Sequence, residues 1–363
     1  MSQAGPTERV GTVAVAGGGI IGTSIAWRLA QRGWRVTLFD KGSIGGEASW
    51  AAAGMLSPGG EIESPSEFAS FATESRRLYS GFVSELEKAS GLAIDYQECG
   101  ALDLAYSQSE CDALQARAVR QRAAGIRSKQ VPRDDVFTFW PRVRREGLVG
   151  AFFYADDAIV NTRETMVALA AVCQRSGVSV RQNCPVYQAE ISNQEARLET
   201  CQGVEAFEAI VIAAGAWSSA IALGGVPVLP SAEPVKGHLI GYHQPEQTCH
   251  TVVRHGHAYL FQRASGLLIC GASVEHVGFD REIRPDVVAS LAEQAGFVFP
   301  HLREIEPSEA WTGLRPGSDA LRIASWHSDR LYLAYGHYRN GILLAPLTAD
   351  RVASEITANL RKQ

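Results

Sequence analysis

A glycine-rich turn near the N-terminus constrains this chain more than any other feature of its sequence. The turn reads Gly17-x-Gly19-x-x-Gly22 and follows a short apolar run, Val13–Ala16. A segment of helical character, Thr23–Arg32, comes next, and a second apolar run, Arg35–Phe39, ends at Asp40. This order of strand, tight turn, helix and strand is the βαβ unit of dinucleotide-binding folds.

Each glycine of the turn has a physical role. The first allows the tight turn, the second lets the backbone approach a pyrophosphate, and the third lets helix and strand pack closely. The helix N-terminus offers unpaired N–H groups and a partial positive charge to the phosphates, and Asp40 can accept a hydrogen bond from a ribose hydroxyl. The motif therefore predicts a bound dinucleotide, but alone it leaves NAD and FAD open.

Length, charge and cysteine usage narrow the class of protein. A chain of 363 residues is longer than one core usually serves, so we expect two domains. The net charge of −5 argues against a nucleic-acid partner. The seven cysteines are scattered, odd in number and without a C-x-x-C pair, which favours reduced thiols over a metal site or a disulfide framework.

The sequence also predicts a cytoplasmic protein. Ser2–Val10 lacks the ordered basic and apolar regions of a cleavable export signal. No later window offers the roughly 18 uninterrupted apolar residues that a membrane-spanning helix needs.

Periodicity and turn residues predict the remaining elements. The predicted helices are Pro65–Gly91, Ser107–Gly125 with a Ser107/Glu110 capping box, Asn161–Gly177 with an Asn161 or Thr162 cap, Pro285–Phe297, and a C-terminal helix after Gly336–Pro346. The predicted strands are Asp95–Tyr106, Val178–Val180, Val186–Ile191, Ala196–Thr200, Val204–Phe207, Ala209–Ile212, Val235–Tyr242, Thr251–Val253, Ala258–Gln262, Leu267–Cys270 and Leu331–Ala334. Val131–Gly147 is predicted to be irregular, and Trp311–Gly317 to be a loop.

These elements predict an α/β fold in which one domain is built from separate pieces of the chain. The continuous apolar run Ala209–Ile212 is typical of a strand buried on both faces and returns the chain to the nucleotide domain. We expect a Rossmann-like domain from residues 1–62, 152–230 and 312–363. A mixed β-sheet domain with flanking helices would comprise residues 63–151 and 231–311.

Four motifs resemble a known family. They are the glycine turn, the segment Ala51–Leu56, the segment Trp311–Pro316 and the segment Gly336–Pro346, and the strand Val211–Gly215 with Trp217 matches a further nucleotide-contacting turn. Over nearly its full length the chain resembles the FAD-dependent D-amino-acid oxidase superfamily, and within it the glycine oxidase branch linked to thiamine biosynthesis.

The resemblance implies a noncovalent FAD. Sarcosine oxidases of the same superfamily carry their flavin on a cysteine, and no cysteine follows Cys270 here. The implied FAD contacts are Gly17, Gly19, Ile20, Ile21 and Gly22 at the pyrophosphate, Asp40 and Lys41 at the ribose, Val186 at the adenine, Gly215 at the second turn, Ala48, Ser49, Ala53, Gly54 and Met55 beside the flavin, and His337, Tyr338, Arg339, Asn340, Gly341, Ile342 and Leu343 over the isoalloxazine, where the N-terminus of the C-terminal helix would face the flavin's anionic edge.

The resemblance also implies a substrate site made of Arg315, Tyr259 and Arg339. A planar guanidinium can give a carboxylate two parallel hydrogen bonds, and Tyr259 can donate to the same carboxylate. The implied reaction is hydride transfer from the α-carbon of a neutral amine to flavin N5, with no obligatory protein base. Electrons then pass to O2 to give H2O2, and the imine hydrolyses to an oxo acid and ammonia or an amine.

The residues alone leave alternatives open. Arg315 also fits a structural salt bridge, Arg339 a loop cap and Tyr259 a core position, while His257 and His238 are more often bystanders. The glycine motif alone permits an NAD(P)-dependent dehydrogenase, and the fold permits a D-amino-acid dehydrogenase or a non-catalytic flavin-binding protein. The substrate stays open among glycine, sarcosine, iminodiacetate and other N-substituted glycines, as does assembly into a homo-oligomer.

Overall fold

A computed structural model describes residues 11–224, 229–244, 246 and 249–361. The export-signal prediction concerns Ser2–Val10, which lie outside these residues. Within the described ranges, no helix combines the length and the apolar character needed to cross a bilayer.

The long helices of the described residues lie close to the predicted positions. In chain order the helices are α1 (Ile20–Gln31), α2 (Ala48–Ala51), α3 (Pro58–Glu61), α4 (Glu67–Ser90), α5 (Gln108–Ala123), α6 (Arg133–Phe139), α7 (Thr162–Arg175), α8 (Pro285–Val298) and α9 (Gly341–Leu360). The short helices α2, α3 and α6 were not predicted.

The strands are more numerous than the sequence predicts. In chain order they are β1 (Thr12–Ala16), β2 (Arg35–Phe39), β3 (Met55–Leu56), β4 (Tyr96–Gln97), β5 (Ala101–Ala105), β6 (Lys129–Val131), β7 (Gly150–Tyr154), β8 (Ala158–Val160), β9 (Ser179–Arg181), β10 (Val186–Ile191), β11 (Ala196–Thr200), β12 (Gly203–Phe207), β13 (Ala209–Ile212), β14 (Ala222–Leu223), β15 (Glu233–His243), β16 (Val252–His255), β17 (Ala258–Gln262), β18 (Leu267–Gly271), β19 (Glu309–Gly317), β20 (Arg322–Ser325) and β21 (Leu331–Tyr335).

One six-stranded sheet carries the glycine turn. Its order is β20-β21-β13-β1-β2-β9, and every neighbouring pair is parallel except β20 and β21. All four residues of β13 are buried, as the continuous apolar run predicts. The α/β architecture expected from the sequence is therefore confirmed.

Successive side chains of β1 point to opposite faces of this sheet, and the two faces pack against different elements. Val13 and Val15 belong to a core shared with α1, α7 and α9, whereas Ala14 and Ala16 belong to a core shared with β10 and β11. Helices thus cover one face, and the predicted antiparallel meander β10-β11-β12 covers the other. A parallel sheet buried on both faces leaves the ends of its strands as the place for a ligand.

A second sheet has eight strands in the order β19-β15-β18-β17-β16-β5-β7-β6. The prediction of a loop at Trp311–Gly317 is wrong, because these residues pair with β15 in β19 at the sheet's edge. Pro316 is tolerated there because an edge strand needs no N–H donor on its outer side. The pairing matters for the site because it sets Arg315 opposite Val235.

Three further predictions need correction. Pro65 lies outside its helix, because Ser66 caps α4 by accepting a hydrogen bond from the Ala69 N–H at 3.0 Å. The single strand Asp95–Tyr106 is two strands, since β4 pairs with β8 whereas β5 pairs with β7 and β16. The segment Val131–Gly147 contains α6, so it is not irregular throughout.

Two predicted helix caps are confirmed. Ser107 accepts from the Glu110 N–H, and the Glu110 carboxylate accepts from the Ser107 N–H, which completes the capping box. Asn161 accepts from the N–H groups of Arg163 and Glu164 at the start of α7. These caps satisfy donors that a helix cannot satisfy internally.

The first helix lies unusually close to the glycine turn. A Cβ placed on Gly22 would lie 1.9 Å from the carbonyl oxygen of Gly17, and Gly17 itself has a φ of +112°. A side chain at position 22 must therefore push α1 away from β1.

Replacing Gly22 by alanine should lower the free energy of unfolding by about 3 kcal/mol, the cost of overpacking against backbone that cannot move aside. Urea denaturation measures this change. Gly81→Ala is the matched control, because Gly81 lies in α4 with open space around its Cα, and alanine there should add about 0.5–1 kcal/mol. Equal stability of the two variants would contradict the close contact.

A buried histidine follows the last strand. His337 is 3% exposed, and its Nε2 lies 3.1 Å from the Thr348 hydroxyl of α9. Burial lowers its pKa to about 3, so the folded protein keeps this imidazole neutral. The unfolded chain binds a proton near pH 6.5 that the folded chain excludes, and stability is therefore lost as the pH falls from about 6.5 towards 3.

We predict that His337→Gln weakens the dependence of the free energy of unfolding on pH. Between pH 6 and 4 the wild-type free energy of unfolding should fall more steeply than that of the variant, by up to about 1.4 kcal/mol per pH unit. Chemical denaturation at a series of pH values measures the two slopes. His276→Gln, at a histidine whose side chain is 68% exposed, should keep the wild-type slope. Parallel slopes for His337→Gln and wild type would refute the assignment.

Candidate active site

A cavity of about 870 Å³ opens at the carboxyl ends of the parallel strands. Ala16, Phe39, Ala213 and Tyr335 line it where β1, β2, β13 and β21 end or have just ended. Residues of β15, β17 and β19 in the second sheet line it as well. The volume lies within the range of about 300–1,000 Å³ that is usual for ligand pockets.

Nearly all residues that the sequence assigns to a site meet in this cavity. The predicted residues that line it are Gly17, Gly19, Ile20, Ile21, Asp40, Lys41, Ala48, Ser49, Ala53, Gly54, Met55, Val186, Gly215, Tyr259, Arg315, His337, Tyr338, Arg339, Asn340, Gly341 and Ile342. Gly22 and Leu343 do not line it. Gly22 packs against Gly17 instead, and Leu343 is 1% exposed in the helix core, where its carbonyl accepts from the Ser75 hydroxyl.

The glycine turn presents backbone donors to the cavity. The first N–H of α1, that of Ile20, is taken by the Ser49 hydroxyl at 2.9 Å. Within the described part of the chain, the N–H groups of Gly19 and Ile21 have no hydrogen-bond acceptor. Two free donors at a helix N-terminus are a suitable partner for a pyrophosphate. Ser49 therefore has a helix-capping role that its predicted place beside the flavin did not include.

Local contacts hold the two charged side chains next to the glycine turn, those of Asp40 and Lys41. The Asp40 carboxylate accepts hydrogen bonds from the N–H groups of Gly18 and Gly42, both at 2.7 Å, while burial raises its pKa. Each oxygen keeps a lone pair for a ribose hydroxyl. Lys41 is held differently: its Nζ lies 2.9 Å from Glu47 and 3.8 Å from the centre of the Trp217 ring.

The segment from α2 to β3 joins the eight-stranded sheet to a small three-stranded sheet beside the cavity. The carbonyl of Ala51 accepts a hydrogen bond from Trp311 Nε1 of β19 at 2.9 Å. Met55 pairs with Ile159 in the small β3-β8-β4 sheet. The wall formed by Ala48–Met55 is thus largely uncharged and fixed at both ends, which suits the face of a flat aromatic ring.

Arg315 is a cation without a counterion among the described residues. Its Nη1 donates to the carbonyls of Ser273 at 3.0 Å and Lys236 at 3.3 Å, and it makes no ion pair with any described residue. A Cβ on Gly237 would lie within 2.3–2.5 Å of the guanidinium, so a glycine is needed beside it. A guanidinium that faces a cavity and lacks an acidic partner can bind an anionic ligand.

Tyr259 lies close to Arg315 and opposite Gly271 on the neighbouring strand β18. Its hydroxyl has no hydrogen-bond partner among the described residues, although the ring stacks on Phe261. Burial raises the pKa of this phenol, which therefore stays protonated and remains a donor at neutral pH. Arg315 and Tyr259 together offer a charged fork and a neutral O–H.

Arg339, unlike Arg315, already has an acidic partner. Its Nε donates to the Glu61 carboxylate at 2.6 Å. Glu61 lines the same cavity, and burial raises its pKa although Arg339 opposes this. The sequence analysis missed Glu61, because nothing local in its sequence announces a partner 278 positions away.

The histidines near the site differ in placement. His257 lines the cavity, but His238 does not. His238 is fully buried, with Nδ1 2.7 Å from Glu275, while Nε2 accepts from the Arg284 N–H. His337 lines the cavity as a neutral imidazole, so it adds no positive charge there.

This arrangement fits an extended dinucleotide. One end offers free backbone N–H groups and the Asp40 carboxylate, the middle is a wall of small uncharged residues, and the far end carries Arg315 and Tyr259. FAD has matching parts, with the adenosine ribose and the diphosphate towards one end and the flat isoalloxazine ring, joined through a ribityl chain, at the other. A small anionic substrate would then meet the ring beside Arg315.

Comparison with known proteins agrees with this fit. The family model described as FAD dependent oxidoreductase matches residues 12–355. Glycine oxidase of Geobacillus kaustophilus is 33% identical over 346 residues, which cover 94% of this chain and 91% of that protein. The bifunctional protein ThiO/ThiG of a Nostoc species is 31% identical over 347 residues, or 95% of this chain and 52% of that protein.

A solved structure gives the same result. The crystal structure of glycine oxidase from Geobacillus kaustophilus superposes with a TM-score of 0.90 at 32% identity, covering 96% of this chain and 95% of that one. The alternative of an NAD(P)-dependent dehydrogenase loses its support, since residues 12–355 match a family of FAD-dependent enzymes. The chain belongs to the FAD-dependent oxidoreductase family of the D-amino-acid oxidase type and is a glycine oxidase-like amino acid or amine oxidoreductase.

Proposed function

We propose that this enzyme oxidatively deaminates glycine or a small N-substituted glycine and passes the electrons to O2. The observation that carries the proposal is Arg315, which lines the cavity near Tyr259. Among the described residues its guanidinium has no counterion and the Tyr259 hydroxyl has no hydrogen-bond partner. A substrate carboxylate would supply the missing negative charge. The similar glycine oxidases act on a substrate of that kind, which supports the proposal.

The anchoring of the carboxylate follows from the contacts of Arg315. Its Nη1 is occupied by two backbone carbonyls, so Nη2 and Nε remain for the substrate. Tyr259 donates its O–H to the same carboxylate. Two groups fixed by neighbouring strands orient the α-carbon, and orientation is a main contribution of a protein to flavin chemistry.

The two arginines have unequal roles in this proposal. Arg315 binds the carboxylate, whereas the charge of Arg339 is already balanced by Glu61, which contacts its Nε. We therefore assign Arg339 and Glu61 to the pocket wall and Arg315 to the primary anchor. Arg339, which the sequence analysis places in the substrate site, would thus shape the pocket without being the main carboxylate anchor.

When bound, FAD supplies a hydride acceptor and a route for two electrons to O2. The protein residues bind the substrate, exclude water from the pocket and keep the amine close to the ring. The substrate amine must be neutral for its lone pair to form the imine. The released imine hydrolyses to an oxo acid and ammonia, or an amine when the nitrogen was substituted.

We further propose that FAD is held without a covalent bond. Cys184 is the cysteine that lines the cavity among the described residues, and it lies beside Val186, at the predicted adenine end. A thiol there would lie at the opposite end of the cofactor from the flavin ring. The six-stranded sheet, assembled from the early, middle and late parts of the chain, would form the FAD-binding domain, and the eight-stranded sheet the substrate domain.

Spectroscopy and oxygen uptake test the proposal. The purified protein should show flavin absorbance, release its flavin on denaturation, and consume O2 with glycine, sarcosine or iminodiacetate while H2O2 accumulates. Flavin reduction without O2 uptake would indicate a D-amino-acid dehydrogenase instead. Uptake with sarcosine or iminodiacetate but not glycine would indicate a secondary amine oxidase.

Arg315→Ala should raise the apparent KM for the carboxylate substrate, with a loss of about 3 kcal/mol from a charged hydrogen-bonded pair. Steady-state oxygen uptake measures KM, and Arg339→Ala should have a smaller effect because that side chain is paired with Glu61. Arg127→Ala is the control, since the Arg127 side chain is 83% exposed. An unchanged KM in Arg315→Ala would remove this residue from the substrate site.

A further inference from the structure

Two cysteine thiols meet at the predicted adenine end of the cavity. The Sγ atoms of Cys184 and Cys201 are 3.5 Å apart, and both residues are free cysteines. Cys184 precedes β10 and lines the cavity. Cys201 lies in the two-residue turn between β11 and β12, where Thr200 pairs with Gly203.

The two thiols differ in their access to solvent. Cys184 is fully buried, whereas Cys201 is exposed at the tip of its hairpin. By contrast, Cys173, Cys249 and Cys270 are buried, and their thiols contact backbone carbonyls. An exposed thiol in contact with a buried one has the usual arrangement of an oxidisable cysteine with its resolving partner.

We propose that Cys184 and Cys201 form a reversible disulfide in response to hydrogen peroxide. We further propose that this bond makes the protein hold the adenine end of FAD more tightly. The proposal rests on the proposed function for the source of the peroxide. The pairing itself depends only on the positions of the two thiols.

The oxidation balances without another reactant. The Cys201 thiolate attacks one oxygen of H2O2, the O–O bond breaks, and the departing hydroxide takes up the thiol proton as water. The Cys201 sulfenic acid is then attacked by the Cys184 sulfur, the S–O bond breaks, and a second water leaves. Two thiols are oxidised to one disulfide while one peroxide is reduced to two waters.

The required movement is small. A disulfide has an S–S distance of about 2.0 Å, so the sulfur atoms must approach by roughly 1.5 Å. Cys201 can move because it lies at an exposed hairpin tip. The hydrogen bond to Cys184 raises the pKa of the Cys201 thiol, so little thiolate is present at neutral pH and the response needs sustained peroxide.

The disulfide would act on the cofactor wall through the backbone. The Cys184 N–H donates to the Asp40 carbonyl at 2.8 Å, and the Asn183 N–H donates to the Gly42 carbonyl at 3.0 Å. Val186, two residues further on, is the predicted adenine contact. Joining Cys184 to the hairpin would therefore restrain the segment that carries the predicted adenine contact.

The first experiment treats the holoenzyme with added H2O2, or with diamide, and maps the thiols by mass spectrometry after trypsin. The residues 182–197 and 198–236 form separate tryptic peptides, each with one of the two cysteines. We expect these peptides to be linked with the loss of two hydrogen atoms and separated by dithiothreitol. Oxidation of Cys201 to sulfinic acid without linkage, or two thiols that stay free, would overturn the proposal.

The second experiment measures the rate of FAD release after dilution. Release should be several-fold slower from the oxidised protein than from the reduced one, and Cys201→Ser should show the reduced rate with or without peroxide. Cys99→Ser, at a half-buried cysteine elsewhere, is the control. Its FAD release should slow on oxidation as it does in the wild type. Equal release rates from oxidised and reduced wild-type protein would overturn the effect on the cofactor.

A third experiment distinguishes a failure of this proposal from a failure of the proposed function. The enzyme turns over each candidate amine in air, with and without catalase, before the peptides are mapped. Linkage with added H2O2 but never during turnover would count against peroxide production and leave the thiol site standing. Linkage in turnover that catalase prevents would support both.

Discussion

The close contact between Gly17 and Gly22 determines how α1 packs against β1, and the rest of the structure is built on this pair. No side chain fits between the carbonyl of Gly17 and the first turn of α1, so helix and strand approach as closely as their backbones allow. That approach leaves the N–H groups of Gly19 and Ile21 facing the cavity. The remaining strands then extend the sheet on either side of β1, and their carboxyl ends complete the wall around the same donors.

Among the cavity-lining residues that the structure describes, Arg315 is the cation left without an acidic partner. Lys41 is neutralised by Glu47, and Arg339 by Glu61, whereas Arg315 rests on backbone carbonyls only. A carbonyl holds a guanidinium in place without cancelling its charge. The free charge is thereby placed where an anionic ligand can meet it, and the burial of Tyr259 keeps a neutral donor beside it.

Local signals allowed much of this fold to be predicted. The glycine turn, the Ser107/Glu110 capping box and the apolar strand Ala209–Ile212 each depend on residues a few positions apart. The strand β19 could not be predicted in the same way, because glycine and proline mask its pattern and its extended form comes from pairing with β15. The same reason hid the pairing of Glu61 with Arg339, which joins distant parts of the chain.

The position of β21 inside the six-stranded sheet has a consequence for how the cavity is assembled. β21 lies between β13 and β20, and α9 contacts the N-terminal part of the chain, where Trp34 Nε1 donates to Thr357. Without residues 331–360 the fold would lack an interior strand, a wall of the cavity and the partner of Glu61. The glycine turn, although formed by neighbouring residues, thus becomes part of a closed cavity only when β21 and α9 are packed against it.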